Sequence, residues 1–188
     1  YSEKVQREIA RRVDVYAPPM TKDEALARPD LLREMEILFA GWGAAKMDEA
    51  FLVAAPSLEA VFYGAGSIRA IAPPEFWRRG IVICSAWGAN AVPVAEYALS
   101  QILFGLKRGW QAAAAMKAAR GKAQSRQILD GVSGAYGGVV GIVSLGMIGR
   151  LVVEKLKPFD VRILAYDPYV AEAEARGLGV ELAGLDDL

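Results

Sequence analysis

Histidine is absent from the 188 residues, and cysteine occurs once. The first absence removes imidazole as an acid, a base or a metal ligand anywhere in the chain. The second excludes a disulfide framework and a thiolate zinc cluster, and it fits a reducing, cytoplasmic setting. Cys84, inside the run GIVICSA, is expected to be a small buried hydrophobe. Net charge is missing too: 22 basic residues balance 22 acidic ones. Such a surface offers no electrostatic footprint for nucleic acid or an anionic membrane. The expected partner is a small molecule or another protein.

A cleavable leader is not expected, because YSEKVQREIARR is charged and helical in pattern. One stretch approaches membrane-spanning length, the 19 uncharged residues between Asp130 and Arg150. Seven of them are glycine, at 131, 134, 137, 138, 141, 146 and 149, too many for an ordinary span. With 54% apolar residues, the composition predicts packed cores and, at this length, two modest domains.

Short β-branched runs alternate with amphipathic stretches, as in βαβ units. VDVYA at 13–17, EILFAG at 36–41, LEAVFYG at 58–64 and GIVICSA at 80–86 read as strands. TKDEALARPDLLREM, KMDEAFLVAA and PEFWRR, between them, read as helices or helical turns. From Val92 the pattern becomes long and helical, with apolar residues at 94, 98, 99, 102, 103 and 106 predicting a buried face. A second sheet is expected from VVGIVSL, the helix GMIGRLVVEKLKPF, the strand VRILAYD and a short strand in GVELAGLDDL.

The turn between VVGIVSL and its helix carries Ser144-x-Gly146-x-x-Gly149. A dinucleotide fingerprint wants glycine at all three positions: for a tight turn, for backbone contact with pyrophosphate, and for close packing of helix on strand. Serine at the first is tolerable if φ stays negative there and harmful if it is positive. Asp167 closes the next strand, 21 residues after Gly146, about where a ribose-binding carboxylate belongs. Such an acid repels a 2′-phosphate and favours NAD over NADP. The helix opening near Met147 would turn its free amides to the diphosphate. A plain buried strand and helix, or an S-adenosylmethionine site, also accommodates this pattern.

Taken in order, YGAGS after a strand, ANAVPVAEYALSQILFGLKR, GIVSLGMIGR and AYDP resemble the D-isomer-specific 2-hydroxyacid dehydrogenase family, the phosphoglycerate dehydrogenase-like group. The resemblance runs from about residue 30 to 188. It implies an α/β chain with a flavodoxin-like lid domain at 1–96, an interdomain helix and dimerisation arm at 97–127, and an incomplete Rossmann-type NAD-binding domain at 128–188. It implies that Gly64, Ala65 and Gly66 hold the substrate carboxylate through backbone amides, which glycines leave unhindered. It also implies that Ser144, Gly146, Met147, Ile148 and Gly149 face the cofactor diphosphate, with Asp167 on the ribose. Asn90, Ala95 and Glu96 match the hinge segment, although Glu96 also reads as a helix-surface charge.

The resemblance departs at SIRAI, where relatives carry an acidic or amide pair. Arg69 there reads either as an anion ligand or as a solvated surface arginine. The implied function interconverts a 2-oxo acid and a D-2-hydroxy acid by hydride transfer with NAD, in a homodimer. The arginine, glutamate and histidine of that chemistry are expected beyond residue 188, so no catalytic residue is assigned within the chain. A non-catalytic NAD-sensing scaffold and a formate dehydrogenase are the alternatives.

Overall fold

The computed structural model describes residues 1–119 and 122–188. It divides into two compact units, Tyr1–Asn90 and Ala91–Leu188.

In the first unit, α1 (Glu3–Ala10), α2 (Lys22–Leu26) and α3 (Pro29–Glu34) precede β1 (Ile37–Ala40). Then come α4 (Glu49–Ala54), β2 (Ala60–Tyr63), α5 (Pro74–Arg78) and β3 (Val82–Ser85). The strands form a parallel sheet in the order β1-β2-β3. Val61 and Tyr63 point from the central strand into a core shared with Phe51 and Leu52 of α4 and Phe76 of α5.

Two expectations are corrected here, on residues 13–17 and on Cys84, and the helical reading of 21–35 is refined. Residues 13–17 form no strand: Val15 and Tyr16 are exposed, and the Tyr16 hydroxyl donates to the Leu31 carbonyl at 2.8 Å. The alternation is present but no sheet face meets it, and Pro18-Pro19 follows directly, so β propensity is overridden by context. The stretch at 21–35 splits into two helices because Pro29 opens α3 and pushes Arg28 out of the helical region, to φ −121°. Cys84 is exposed rather than buried. Phe39, Phe62 and Cys84 lie in register across the sheet, on the side opposite Val61, and strand side chains alternate strictly.

In the second range, α6 (Trp87–Leu106), which starts just before the boundary, is followed by α7 (Gly109–Ala119), α8 (Lys122–Leu129) and β4 (Gly138–Val143). Next are α9 (Met147–Leu156), β5 (Val161–Tyr166), α10 (Glu172–Leu178) and β6 (Glu181–Leu182). A second parallel sheet runs β4-β5-β6. Its core holds Val140, Ile142, Val152, Val153, Leu156, Ile163 and Ala165. Ala95, Leu99, Ile102 and Leu106 pack against it from α6. Val94 is exposed, so the buried stripe passes through Ala95 instead, one residue later than the sequence pattern suggests.

Part of the expected dimerisation arm, Arg120 and Gly121, lies outside the described residues. Among the described residues, no helix is long and apolar enough to cross a membrane.

Candidate functional site

The second unit builds its site at the C-terminal edge of β4. Three residues, Ser144, Leu145 and Gly146, separate that strand from α9. The Ser144 amide donates to the Tyr166 carbonyl at 2.8 Å. The Leu145 amide donates to Oδ2 of Asp167 at 2.7 Å, and its side chain is buried in the core. Beyond it, the amides of Gly146, Met147, Ile148 and Gly149 find no acceptor among the described residues. Gly146 caps α9 without a side-chain hydrogen bond, and the first turn holds no acidic residue. Four free donors thus coincide with the positive end of a helix dipole, and Met147 and Ile148 leave it open to solvent. That combination binds anions.

The three fingerprint positions differ in what they require. A Cβ on Gly149 would collide with the Ser144 carbonyl oxygen, so glycine there is demanded by helix–strand packing. A Cβ on Gly146 would meet only the Ser144 hydroxyl oxygen, at an ordinary 3.6 Å. The fold has room for a side chain at 146, and any need for glycine there comes from what approaches outside. Ser144 has φ 77°, in the left-handed region, which costs an L-residue roughly 1–3 kcal/mol. The unfavourable of the two cases foreseen for this serine is the one realised.

Asp167 directly follows β5. Its Oδ1 accepts the Tyr169 amide at 2.9 Å, and its Oδ2 accepts that of Leu145. These hydrogen bonds, Tyr169 first and Leu145 second, hold its pKa below the ordinary aspartate value, with smaller contributions from the Val170 backbone and Arg150. An ionised carboxylate offers about four lone-pair sites. Two are used, so each oxygen keeps room for a further donor such as a ribose hydroxyl.

In the first unit, Gly64, Ala65 and Gly66 leave the end of β2. The Gly64 amide is committed to the Ala40 carbonyl at 2.8 Å, so of the three expected donors only those of Ala65 and Gly66 lack an acceptor among the described residues. Ala65 is fully buried. The Ser85 hydroxyl donates to the Gly66 carbonyl at 2.6 Å and accepts the Trp87 amide at 3.2 Å, which fixes the turn. A Cβ on Gly64 would press on the Tyr1 ring, and one on Gly66 would stand 3.2 Å from Nδ2 of Asn90. Arg69 is exposed. Glu96, in the second unit, pairs with Lys155 at 3.2 Å, which fits its surface-charge role.

Sequence reasoning passed over Ser85, Arg150 and Glu174. Arg150 donates from Nε to the Leu145 carbonyl at 2.7 Å and from its guanidinium to Glu174 at 2.6 Å. No spacing rule links a helix arginine to a carbonyl five residues earlier, and only the loop geometry reveals it.

Residues 99–188 match the family model described as D-isomer specific 2-hydroxyacid dehydrogenase, NAD binding domain. Over 145 residues, 77% of this chain, the sequence is 35% identical to the D-3-phosphoglycerate dehydrogenase of Mycobacterium leprae, of which it covers 27%. It is 29% identical over 172 residues to the D-3-phosphoglycerate dehydrogenase of Methanocaldococcus jannaschii, covering 92% of this chain and 31% of that one. The structure of D-mandelate dehydrogenase from Rhodotorula graminis aligns with a TM-score of 0.75 over 98% of this chain and 57% of its own, at 18% identity, and shares the fold. The chain therefore spans about a quarter to a third of the length of these curated relatives. With a free-amide helix terminus and an acid closing the next strand inside the matched region, residues 99–188 carry an NAD-binding domain of the D-isomer-specific 2-hydroxyacid dehydrogenase family.

Proposed function

We propose that this chain contributes the substrate-binding lid and the first part of the cofactor domain of an NAD-dependent oxidoreductase that interconverts a 2-oxo acid and a D-2-hydroxy acid, as in phosphoglycerate dehydrogenase. The observation that carries the proposal is the set of unclaimed amides at 146–149, with the Asp167 carboxylate tied to the same loop. In this proposal those amides and the Ser144 turn hold the NAD diphosphate, and Asp167 accepts from the adenosine ribose. In this proposal the loop at 64–66, on a turn held by Ser85, receives the substrate carboxylate; Ala65 and Gly66 are buried, so their amides meet it only after the loop shifts. NAD supplies the hydride acceptor and donor; the protein positions it and the substrate. The chain contains no histidine, so none of these 188 residues supplies an imidazole proton donor. The arm at 97–127 pairs two copies in this proposal.

Steady-state assays on the full-length protein test the substrate class. NADH oxidation is expected with a 2-oxo acid from the set glyoxylate, pyruvate and 3-phosphohydroxypyruvate, and no NAD reduction with formate. Formate oxidation is kept as a second reaction because the formate dehydrogenase of Granulicella is 26% identical over 82% of this chain, at a TM-score of 0.59. NAD reduction by formate without activity on any 2-oxo acid would select it. NADH binding with neither activity would select a cofactor-sensing scaffold.

Gly146→Ala separates ligand contact from folding. The new methyl has room, so the expected stability loss is about 0.5–1 kcal/mol, from a poorer helix cap. The NADH dissociation constant is expected to rise about tenfold, equivalent to ~1.4 kcal/mol, because the methyl stands where the diphosphate meets the backbone. Titration calorimetry beside thermal unfolding checks both, and an unchanged affinity would remove the diphosphate from this corner.

A further inference from the structure

Leu145 is held on three sides. Its side chain is buried, its amide donates to Asp167 at the end of β5, and its carbonyl accepts Nε of Arg150 from α9. Arg150 is held in turn by Glu174 of α10, at 2.6 Å. The residue just before this anchored peptide is Ser144, at φ 77°. A serine left to itself relaxes out of that region. Relaxation would rotate the peptide that sets the direction of the Gly146 and Met147 amides.

We propose that Arg150 is a positioning residue for the cofactor loop: with Glu174 behind it, it braces the Leu145 carbonyl and so holds Ser144 in a conformation that glycine would adopt unaided. The brace substitutes for the glycine missing from the first fingerprint position. Asp167 secures the other end of the same residue, so the loop is pinned from two elements at once. The function of the brace rests on the diphosphate assignment above, while its mechanical part does not.

The two parts are separable in one experiment on the full-length protein. Arg150→Met, Ser144→Gly and the double variant are compared with the wild type for NADH affinity and for unfolding midpoint. Arg150→Met is expected to weaken NADH about tenfold in the serine background and no more than about threefold with glycine at 144. Ser144→Gly alone is expected to tighten NADH two- to threefold and to raise the midpoint by about 2–4 °C. A side chain serving stability alone would lower the midpoint without a loss of NADH affinity that Ser144→Gly rescues. Equal losses of NADH affinity in both backgrounds would overturn the proposal.

Should Arg150→Met fail to fold, Glu174→Gln carries the test. It leaves Arg150 in place but unsupported, and a roughly threefold loss that vanishes with Ser144→Gly is expected; a loss unaffected by that change would overturn the brace. If the wild type binds no NADH, the diphosphate assignment is wrong. The brace is then judged on the midpoints alone, where additive shifts overturn it and a penalty reduced by Ser144→Gly supports it.

Discussion

Gly149→Ala is expected to destabilise the unit Ala91–Leu188 by about 3 kcal/mol, at the upper end of the usual range for overpacking, and to abolish measurable NADH binding. The added methyl would overlap the Ser144 carbonyl oxygen, and the Ile142 side chain stands 3.6 Å from it. A flexible side chain in its path would swing aside at little cost. A backbone carbonyl does so only by moving its peptide, and this one is anchored: the Ser144 amide is bonded to Tyr166 and that of Leu145 to Asp167. The alternative is to lift α9 off the sheet, which opens space around Val152, Val153 and Leu156, all buried in the core. Chemical denaturation of the wild type and the variant checks the stability term. A variant as stable as the wild type would show that helix and strand are not packed as tightly as the geometry at 149 requires.

Asp167→Ala has the largest expected effect on cofactor choice. Removing the carboxylate deletes the charged acceptor assigned to the ribose hydroxyls. NADH affinity is expected to fall about 100-fold. The variant also frees the Leu145 and Tyr169 amides, which loosens the loop for either cofactor. The discriminating quantity is therefore the ratio of NADH to NADPH affinity, which should drop at least tenfold because the repulsion of a 2′-phosphate disappears with the charge. Equal losses for the two cofactors would leave Asp167 a loop tie and nothing more.

The same residue gives an acid-side signature. Its pKa is lowered in the folded state by the Tyr169 and Leu145 amides. The stability this contributes is present above the unfolded aspartate pKa of about 4 and is lost as pH falls through the lower, folded value. In Asp167→Ala that part of the acid limb should vanish.

How much of this was legible in the sequence depended on whether the signal was local. The second βαβ unit was readable because its strands, its helix and its glycine spacing all obey short-range periodicities, and Asp167 stands at a fixed distance from Gly146. Val13–Ala17 misled because alternation reports what a strand would need, not whether a neighbour exists to pair with it. Cys84 misled for a related reason: its apolar neighbours do not tell which face of the sheet it occupies, and Phe62 in register with it shares the more exposed side.

The sign of φ at Ser144 was invisible, since serine populates both negative regions more readily than this one. The bonds around Ser144 are long-range or irregular: the neighbouring Leu145 amide donates to Asp167, 22 residues on, and Arg150 donates to the Leu145 carbonyl, 5 residues back. The Gly64 amide was similarly misjudged as a free donor, because its commitment to Ala40 depends on the pairing of β1 with β2. Family resemblance points to the loop at 64–66, and the pairing of the sheet leaves only the Ala65 and Gly66 amides without an acceptor among the described residues.

The most direct measurement is a titration of the full-length protein with NADH and NADPH, followed by quenching of intrinsic fluorescence and repeated with Gly146→Ala. Saturable binding of NADH, at least tenfold tighter than that of NADPH and weakened by the methyl at 146, is the predicted result. No binding of either cofactor, preference for NADPH, or affinity indifferent to residue 146 would contradict a diphosphate seated on the amides of α9 beside Asp167.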